Sequence, residues 1–334
     1  MDTALPATER FSARLRRQIS SVPVSLFGAT SAVGGLGLDW RLAGQRFGFP
    51  SWVSAALIWI AVITIAALTC AYVAKSFFAP GAIRAEFQHP VVGSLFGLLP
   101  LSLLSLSGSL AGISPNVALA IWISGASSMI MFTGFMVARW MSAQQPAELA
   151  HPAWIVPAGG IANVPLAIPA LHLTGLDEVS VLSLAVGLFL TIPIFTLILN
   201  RLMYHAPLPK PLRPALMILT APFSIGYSAY LTITGRNDLF AQSLFMIGLF
   251  LSAIFLFLLV HLPLCCPFRI SWWSIAFPLA ASTSAALRFA ERSPGVFGQI
   301  IALAFLALST AVIVWLFCRT LVGIAVGELE TLNM

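Results

Sequence analysis

Long apolar runs recur along the chain with short polar breaks between them. There are ten, at 22–38, 52–74, 91–112, 117–138, 154–173, 179–199, 215–234, 239–262, 272–290 and 296–326. A helix needs roughly 17–25 such residues to cross the hydrocarbon core of a bilayer. The last run is long enough to tilt, or to end in an interfacial turn. The pattern predicts an all-α polytopic membrane protein with ten transmembrane helices. A tail at 1–21 precedes the transmembrane unit at 22–326, and a second tail follows at 327–334.

The helix breakers alternate. Central prolines fall in the third run (Pro100), the fifth (Pro157, Pro165, Pro169), the seventh (Pro222) and the ninth (Pro278), while the first carries Gly28, Gly34, Gly35 and Gly37. Even-numbered runs are smoother, with Pro193 in the sixth as the exception. Broken backbone is tolerated at membrane depth only where protein or a water-filled cavity covers it. We therefore expect five helical hairpins, with the odd helices forming an inner layer and the even helices facing lipid.

Composition removes the competing classes. Of 334 residues 59% are hydrophobic and 8% charged, against about 25% charged in soluble domains. The net charge of +6 and pI of about 9.6 would hint at nucleic acid in a soluble protein. Here they read as the loop bias that orients membrane proteins. Twelve Lys and Arg fall on the side of the N-terminus and five (Arg41, Arg46, Arg236, Arg288, Arg292) on the other, accounting for all 17. Both termini are thus expected in the cytoplasm of a multi-pass cell-membrane protein. The basic stretch Arg10 to Arg17 is read as a tail rather than a signal peptide, because the run after it is long enough to span. Cys70 and Cys318 lie in apolar runs and Cys265-Cys266 in a connection, a distribution that suggests neither a metal site nor a disulfide framework.

Charge is scarce within the spans. Asp39, His172, His261 and Arg288 read as span ends, and every span centre lacks Lys, Asp and Glu. Proton- or sodium-coupled carriers generally need a buried carboxylate or histidine, so this reading is disfavoured. No phosphate loop, Ser/His/Asp set or metal-ligand spacing stands out, so neither an enzyme, a cofactor nor a bound metal is expected. What remains is a pore selecting by uncharged groups: kinked half-helices offer free N–H groups to an anion, while carbonyls freed before each proline act oppositely.

Four blocks carry a resemblance. Arg84-Ala85-Glu86-Phe87-Gln88-His89-Pro90 is the first, and 151–158, from His151 to Ala158, is the second. Leu219-Thr220-Ala221-Pro222-Phe223 with Ser228-Ala229-Tyr230-Leu231 is the third, and Trp273-Ser274-Ile275-Ala276-Phe277-Pro278 the fourth. In this order they resemble the tellurite-resistance and C4-dicarboxylate transporter family, which includes bacterial tellurite-resistance channel homologues and plant guard-cell slow anion channels. The resemblance implies five hairpins, a pore through each subunit of a homotrimer, and small inorganic or organic anions as the passing species. It also implies a phenylalanine plug on helix 9, which falls on Phe277. Among 24 phenylalanines, most pack against lipid or core. Pro278 and the small residues Ala280, Ala281, Ser282, Ser284 and Ala285 favour a gate here. Further pore-lining candidates are Phe27, Gly28, Phe96, Pro100, Pro157, Pro222, Phe223 and Pro278; for Gly28, Gly93 and Gly97 close helix packing competes. Arg84, Glu86 and His89 read as caps and pairs. The expected function is an anion channel for chloride, nitrate or similar ions. The alternative is a carrier of C4-dicarboxylates, sulfite or tellurium oxyanions, and a non-transporting membrane partner ranks last.

Overall fold

The computed structural model describes residues 21–261, 267–293, 295–326 and 328. The two expected tails, apart from Ser21 and Glu328, lie outside the described residues, as do Cys265 and Cys266. Among the described residues the chain is helical with no strand. A 3-10 run, Val24–Leu26, leads into α1 (Phe27–Phe47), followed by α2 (Ser51–Phe78) and the short α3 (Pro80–Gln88). Val92–Gly97, again 3-10, widens into α4 (Leu98–Leu110), and α5 (Pro115–Ser142) follows. Next come a 3-10 turn at Pro152–Trp154, the single-turn α6 (Ile155–Gly159), a 3-10 run at Gly160–Ala167, and α7 (Asp177–Tyr204). Lys210–Thr220 is 3-10 and leads into α8 (Ala221–Thr234), with α9 (Leu239–Leu259) after it. Ile270–Trp272 opens α10 (Trp273–Arg292), and α11 (Val296–Val326) ends the described helices.

Among the described residues seven helices are long and apolar enough to cross a membrane: α2, α5, α7, α9, α11 and the composite segments Val92–Leu110 and Lys210–Thr234. Three of the ten expected spans fall short of that standard: 152–167 is only sixteen residues long, and burial accounts for the polar content of α1 and α10. Fifteen of the sixteen residues 152–167 are buried, as are thirteen of the twenty in α10 and twelve of the twenty-one in α1. A helix walled in by protein needs no apolar surface for lipid, so α1 keeps Asp39 and Arg41, and α10 keeps Arg288, Glu291 and Arg292. The uninterrupted helices are the reverse. In α2 only 17% of the most apolar window is buried, against 78% in Lys210–Thr234. α5 shows the pattern residue by residue: Ala118, Trp122, Ala126, Met129, Thr133 and Met136 form one buried stripe at helical spacing, with Met131 and Phe135 exposed.

Proline chemistry sets where the backbone narrows. Pro222 sits in the first turn of α8, where a missing N–H costs nothing. Pro165 and Pro214 lie within 3-10 runs. Pro193, the outlier among the even helices, lies on the exposed face of α7.

The broken segments leave carbonyls for neighbouring side chains to satisfy. On α5, Thr133 Oγ1 donates to the Pro157 carbonyl (2.7 Å) and Trp122 Nε1 to that of Val164 (3.0 Å). The first sequence block acts as a clamp. Lys75, fully buried, donates to Glu86 Oε1 (2.5 Å) and to the Val22 carbonyl (2.7 Å), and the Tyr72 hydroxyl donates to Glu86 Oε2 (2.5 Å). Arg139 donates to the Phe87 and Gln88 carbonyls. His89 Nδ1 accepts from the Val91 and Val92 N–H groups (both 3.2 Å), and Trp154 Nε1 reaches the Pro90 carbonyl (3.0 Å). Glu86 and His89 thus pair and cap as expected, whereas Arg84 is exposed.

Two residues in this region give stability tests. A Cβ on Gly93 would stand 2.5 Å from the Phe87 carbonyl oxygen, a backbone atom that cannot yield cheaply. Gly93→Ala should therefore lower stability by about 1–3 kcal/mol, read as a reduced melting temperature in detergent; an unchanged midpoint would refute the close contact. His151 caps Pro152–Trp154 by accepting from the Ala153 N–H at 3.1 Å. Burial, helped by the Arg201 and His89 charges, holds its imidazole down at about 4, below the ordinary 6.5. The fold favours the neutral ring, so this contribution is complete above pH 6.5 and is lost as pH falls towards 4. His151→Asn, whose Oδ1 keeps a cap acceptor, should flatten the acid loss of thermal stability over that window. Parallel pH profiles for the two proteins would rule this out.

Candidate functional site

Three cavities, each contacting α10, follow one another through the interior. The first, of about 280 Å³, is walled by the opening residues of all five 3-10-led segments, including Pro23, Val92, His151, Leu212 and Ile270. The second, of about 70 Å³, is lined by Gly35, Leu104, Asn163, Ser228, Ala281 and Ser284 among others. The third, about 220 Å³, lies between the last turns of α1 and α10, where Leu42, Gln45, Arg46, Leu287, Arg288 and Glu291 line it. Neighbouring cavities share wall residues: Phe277 and Ile225 line both the first and the second, and Arg288 lines both the second and the third. Each is several times the roughly 10–15 Å³ that admits a water.

The ring arrangement follows from packing. α1 contacts α4 and α10, Gly160–Ala167 contacts α4 and α8, and α8 contacts α10. Phe277, half-buried, packs against Ala162, Ala221 and Ile225 from two of these neighbours. Pro278 follows it within the helix, and Ala280 and Ala281 come one turn later. The phenyl ring therefore has small groups around it at the boundary between the two cavities.

The other candidate residues divide. Gly28, Pro222 and Pro278 line the first cavity with Phe277. Phe27 does not: it is fully buried, edge-on to Tyr72 at 5.7 Å. Phe96 packs in an aromatic group with Phe87 and Tyr72, at 5.1 and 6.2 Å. Phe223 packs on Phe195 at 5.9 Å. Pro100 and Pro157 are buried and shape their segments without reaching a cavity wall. Gly93 and Gly97 are packing glycines; a Cβ on Gly97 would come within 3.0 Å of Phe132 and Val156.

Two charges matter more than the sequence reading allowed. Run 1 was expected to end at Leu38, yet α1 continues nine residues further, to Phe47. Asp39 is consequently inside the helix and fully buried, where its Oδ1 accepts from the Ser284 hydroxyl. Arg288, expected at a span end, lines two cavities four residues before α10 finishes. The missed signal was Gly48 followed by Pro50: Gly48 takes φ 75° and closes α1, a common helix stop.

The lining chemistry has one sign where it is narrowest. Among the described residues no Asp or Glu lines the first two cavities, whereas Arg269 lines the first and Arg288 the second. Their walls are otherwise mainly alanine, glycine, proline, serine and aliphatic groups. Among the described residues no group of His, Cys, Asp and Glu is arranged to hold a metal.

Known proteins resemble the chain along most of its length. The guard cell S-type anion channel SLAC1 of Arabidopsis thaliana is 27% identical over 96% of this chain and 58% of the plant protein. A tellurite resistance protein TehA homolog from Haemophilus influenzae is 27% identical over 80% of this chain and 81% of its own. An uncharacterized transporter, MJ0576, of Methanocaldococcus jannaschii is 26% identical over 77% and 80%. The chain spans only about half to three fifths of the length of SLAC1 and of two further S-type anion channels of the same plant, SLAH2 and SLAH3. A family model described as voltage-dependent anion channel, SLAC1, matches residues 21–321, and the chain belongs to that family.

Proposed function

We propose that the protein is an anion channel whose conduction path is the series of three cavities, closed at Phe277. The observation that carries this reading is the shared wall: Phe277 lines both a 280 Å³ and a 70 Å³ space, and among the described residues no carboxylate lines either. Family membership supports anions as the passing species. Chloride and nitrate suit the small second cavity and the sparse polar lining, since a site that held an ion tightly would not release it.

The rest of the sequence reading fits this proposal. Residues 22–326 form the transmembrane unit, with α1, α4, 152–167, α8 and α10 as the inner members of five hairpins. What supports it is the ring of packing among those segments and the exposure of α2, α5, α7, α9 and α11. The excess of Lys and Arg on the side of the N-terminus puts the 280 Å³ cavity at the cytoplasmic face, because the 3-10 runs that wall it open the odd segments.

A second reading, a coupled carrier of oxyanions or dicarboxylates, has one observation in its favour. Asp39 is a fully buried carboxylate, the kind of group coupling requires. It lines none of the three cavities, which favours the channel. A proton-coupled carrier would show a reversal potential that moves with pH at fixed anion gradient.

Purified protein in planar bilayers should pass current that reverses at the anion equilibrium potential. Phe277→Ala should raise that current about tenfold or more, equivalent to at least 1.4 kcal/mol off the barrier. Unchanged current at equal incorporation would remove Phe277 as the gate.

A further inference from the structure

Arg288 lines both the second and the third cavity, so whatever passes between them passes its side chain. Its donors are underused. Nε is buried without a hydrogen-bond partner among the described residues. Nη1 reaches only Thr232 Oγ1, at 3.5 Å, a length at the edge of hydrogen bonding. Asp39 and Glu291 act on the guanidinium electrostatically, yet neither forms an ion pair with it. Asp39 is instead engaged by Ser284, one turn before Arg288 on the same helix, and its Oδ2 has no partner among the described residues. Ser228, in the wall of the second cavity, likewise has a buried hydroxyl oxygen without a partner.

A buried Nε without a partner is costly unless something negative approaches it. The fixed carboxylates do not close on it, while the second cavity leaves room beside it. Five N–H donors in a rigid fork can hold an anion from one side while the Ser228 hydroxyl donates from another. Asp39 opposes that attraction, which keeps the site weak enough to exchange.

We infer that Arg288 and Ser228 form a binding site for a small monovalent anion beyond Phe277, with Asp39 limiting its affinity. This deepens the channel reading and rests on it, but binding is measurable without conduction. The probe is bromide against gluconate at constant ionic strength, read as stabilisation of the purified protein in detergent across a titration. Arg288→Gln should weaken apparent bromide affinity by about tenfold or more, the loss of one charge-assisted contact. Asp39→Asn should shift it the opposite way. Ser228→Ala should weaken it by about threefold, and this variant decides the matter if Arg288→Gln fails to fold. Bromide affinity unchanged in folded Arg288→Gln, or in Ser228→Ala where that variant decides, overturns the site. A Phe277→Ala protein that passes no anion current while bromide binding still depends on these residues would overturn the channel and leave the site standing.

Discussion

The structure depends on covering the backbone groups that prolines and 3-10 turns leave without helical partners. In hydrocarbon an unsatisfied carbonyl costs several kcal/mol, so a broken segment survives there only behind other protein. The chain meets this by letting regular helices supply both cover and partners. Thr133 and Trp122 on α5 donate to the carbonyls of Pro157 and Val164 in the most broken stretch. Trp273 Nε1 to Thr320 Oγ1 (2.9 Å) and Trp40 Nε1 to Thr310 Oγ1 (3.0 Å) tie α10 and α1 to α11. Cover and kink are one constraint seen from two sides, and it places the irregular segments in the interior.

That placement decides what the interior is able to do. Five segments open in 3-10 geometry, and the same opening residues wall the 280 Å³ cavity. A 3-10 run rises about 2.0 Å per residue, against 1.5 Å in an α-helix, and is thinner. Each segment is therefore slimmer where the cavity is widest. Further along, α1, α4, α8 and α10 take full α-helical width and the space contracts to about 70 Å³ behind Phe277. Alanine, glycine and serine on α10 and α1 keep even this part from closing: Gly35 faces Ala280 so closely that an added Cβ would lie 3.3 Å away.

Much of this was legible in the sequence because it rests on coarse physics. Runs of apolar residues mark helices whatever their partners, and prolines in alternate runs mark the ones that need cover. Phe277 was singled out by the resemblance of its block to a known family, and Pro278 with the small residues after it added to that expectation. What was not legible is which side of a buried helix meets a cavity. Phe27, Phe96 and Phe223 have the composition of pore residues, but they pack on Tyr72, Phe87 and Phe195. Side-chain direction depends on helix rotation, and in a helix buried all round no hydrophobic stripe reports it. Asp39 was misplaced for a different reason. The apolar run stopped at Leu38 although the helix did not, because α1 is screened by protein and its later turns tolerate polar residues.

The buried charges alter what the scarcity of charge means. A path with no ionisable group would select anions by backbone and shape alone. Here the scarcity sets Arg288 apart: among the described residues the walls of the first two cavities contain no carboxylate to pair with it, and Asp39 is engaged by Ser284. Moving Asp39 into contact would cancel the charge and remove the reason for an anion to enter. Removing Asp39 would leave Glu291 as the acidic group acting on the guanidinium and deepen the proposed well, slowing exit. Glu291 and Asp39 both act on the guanidinium electrostatically, and neither forms an ion pair with it.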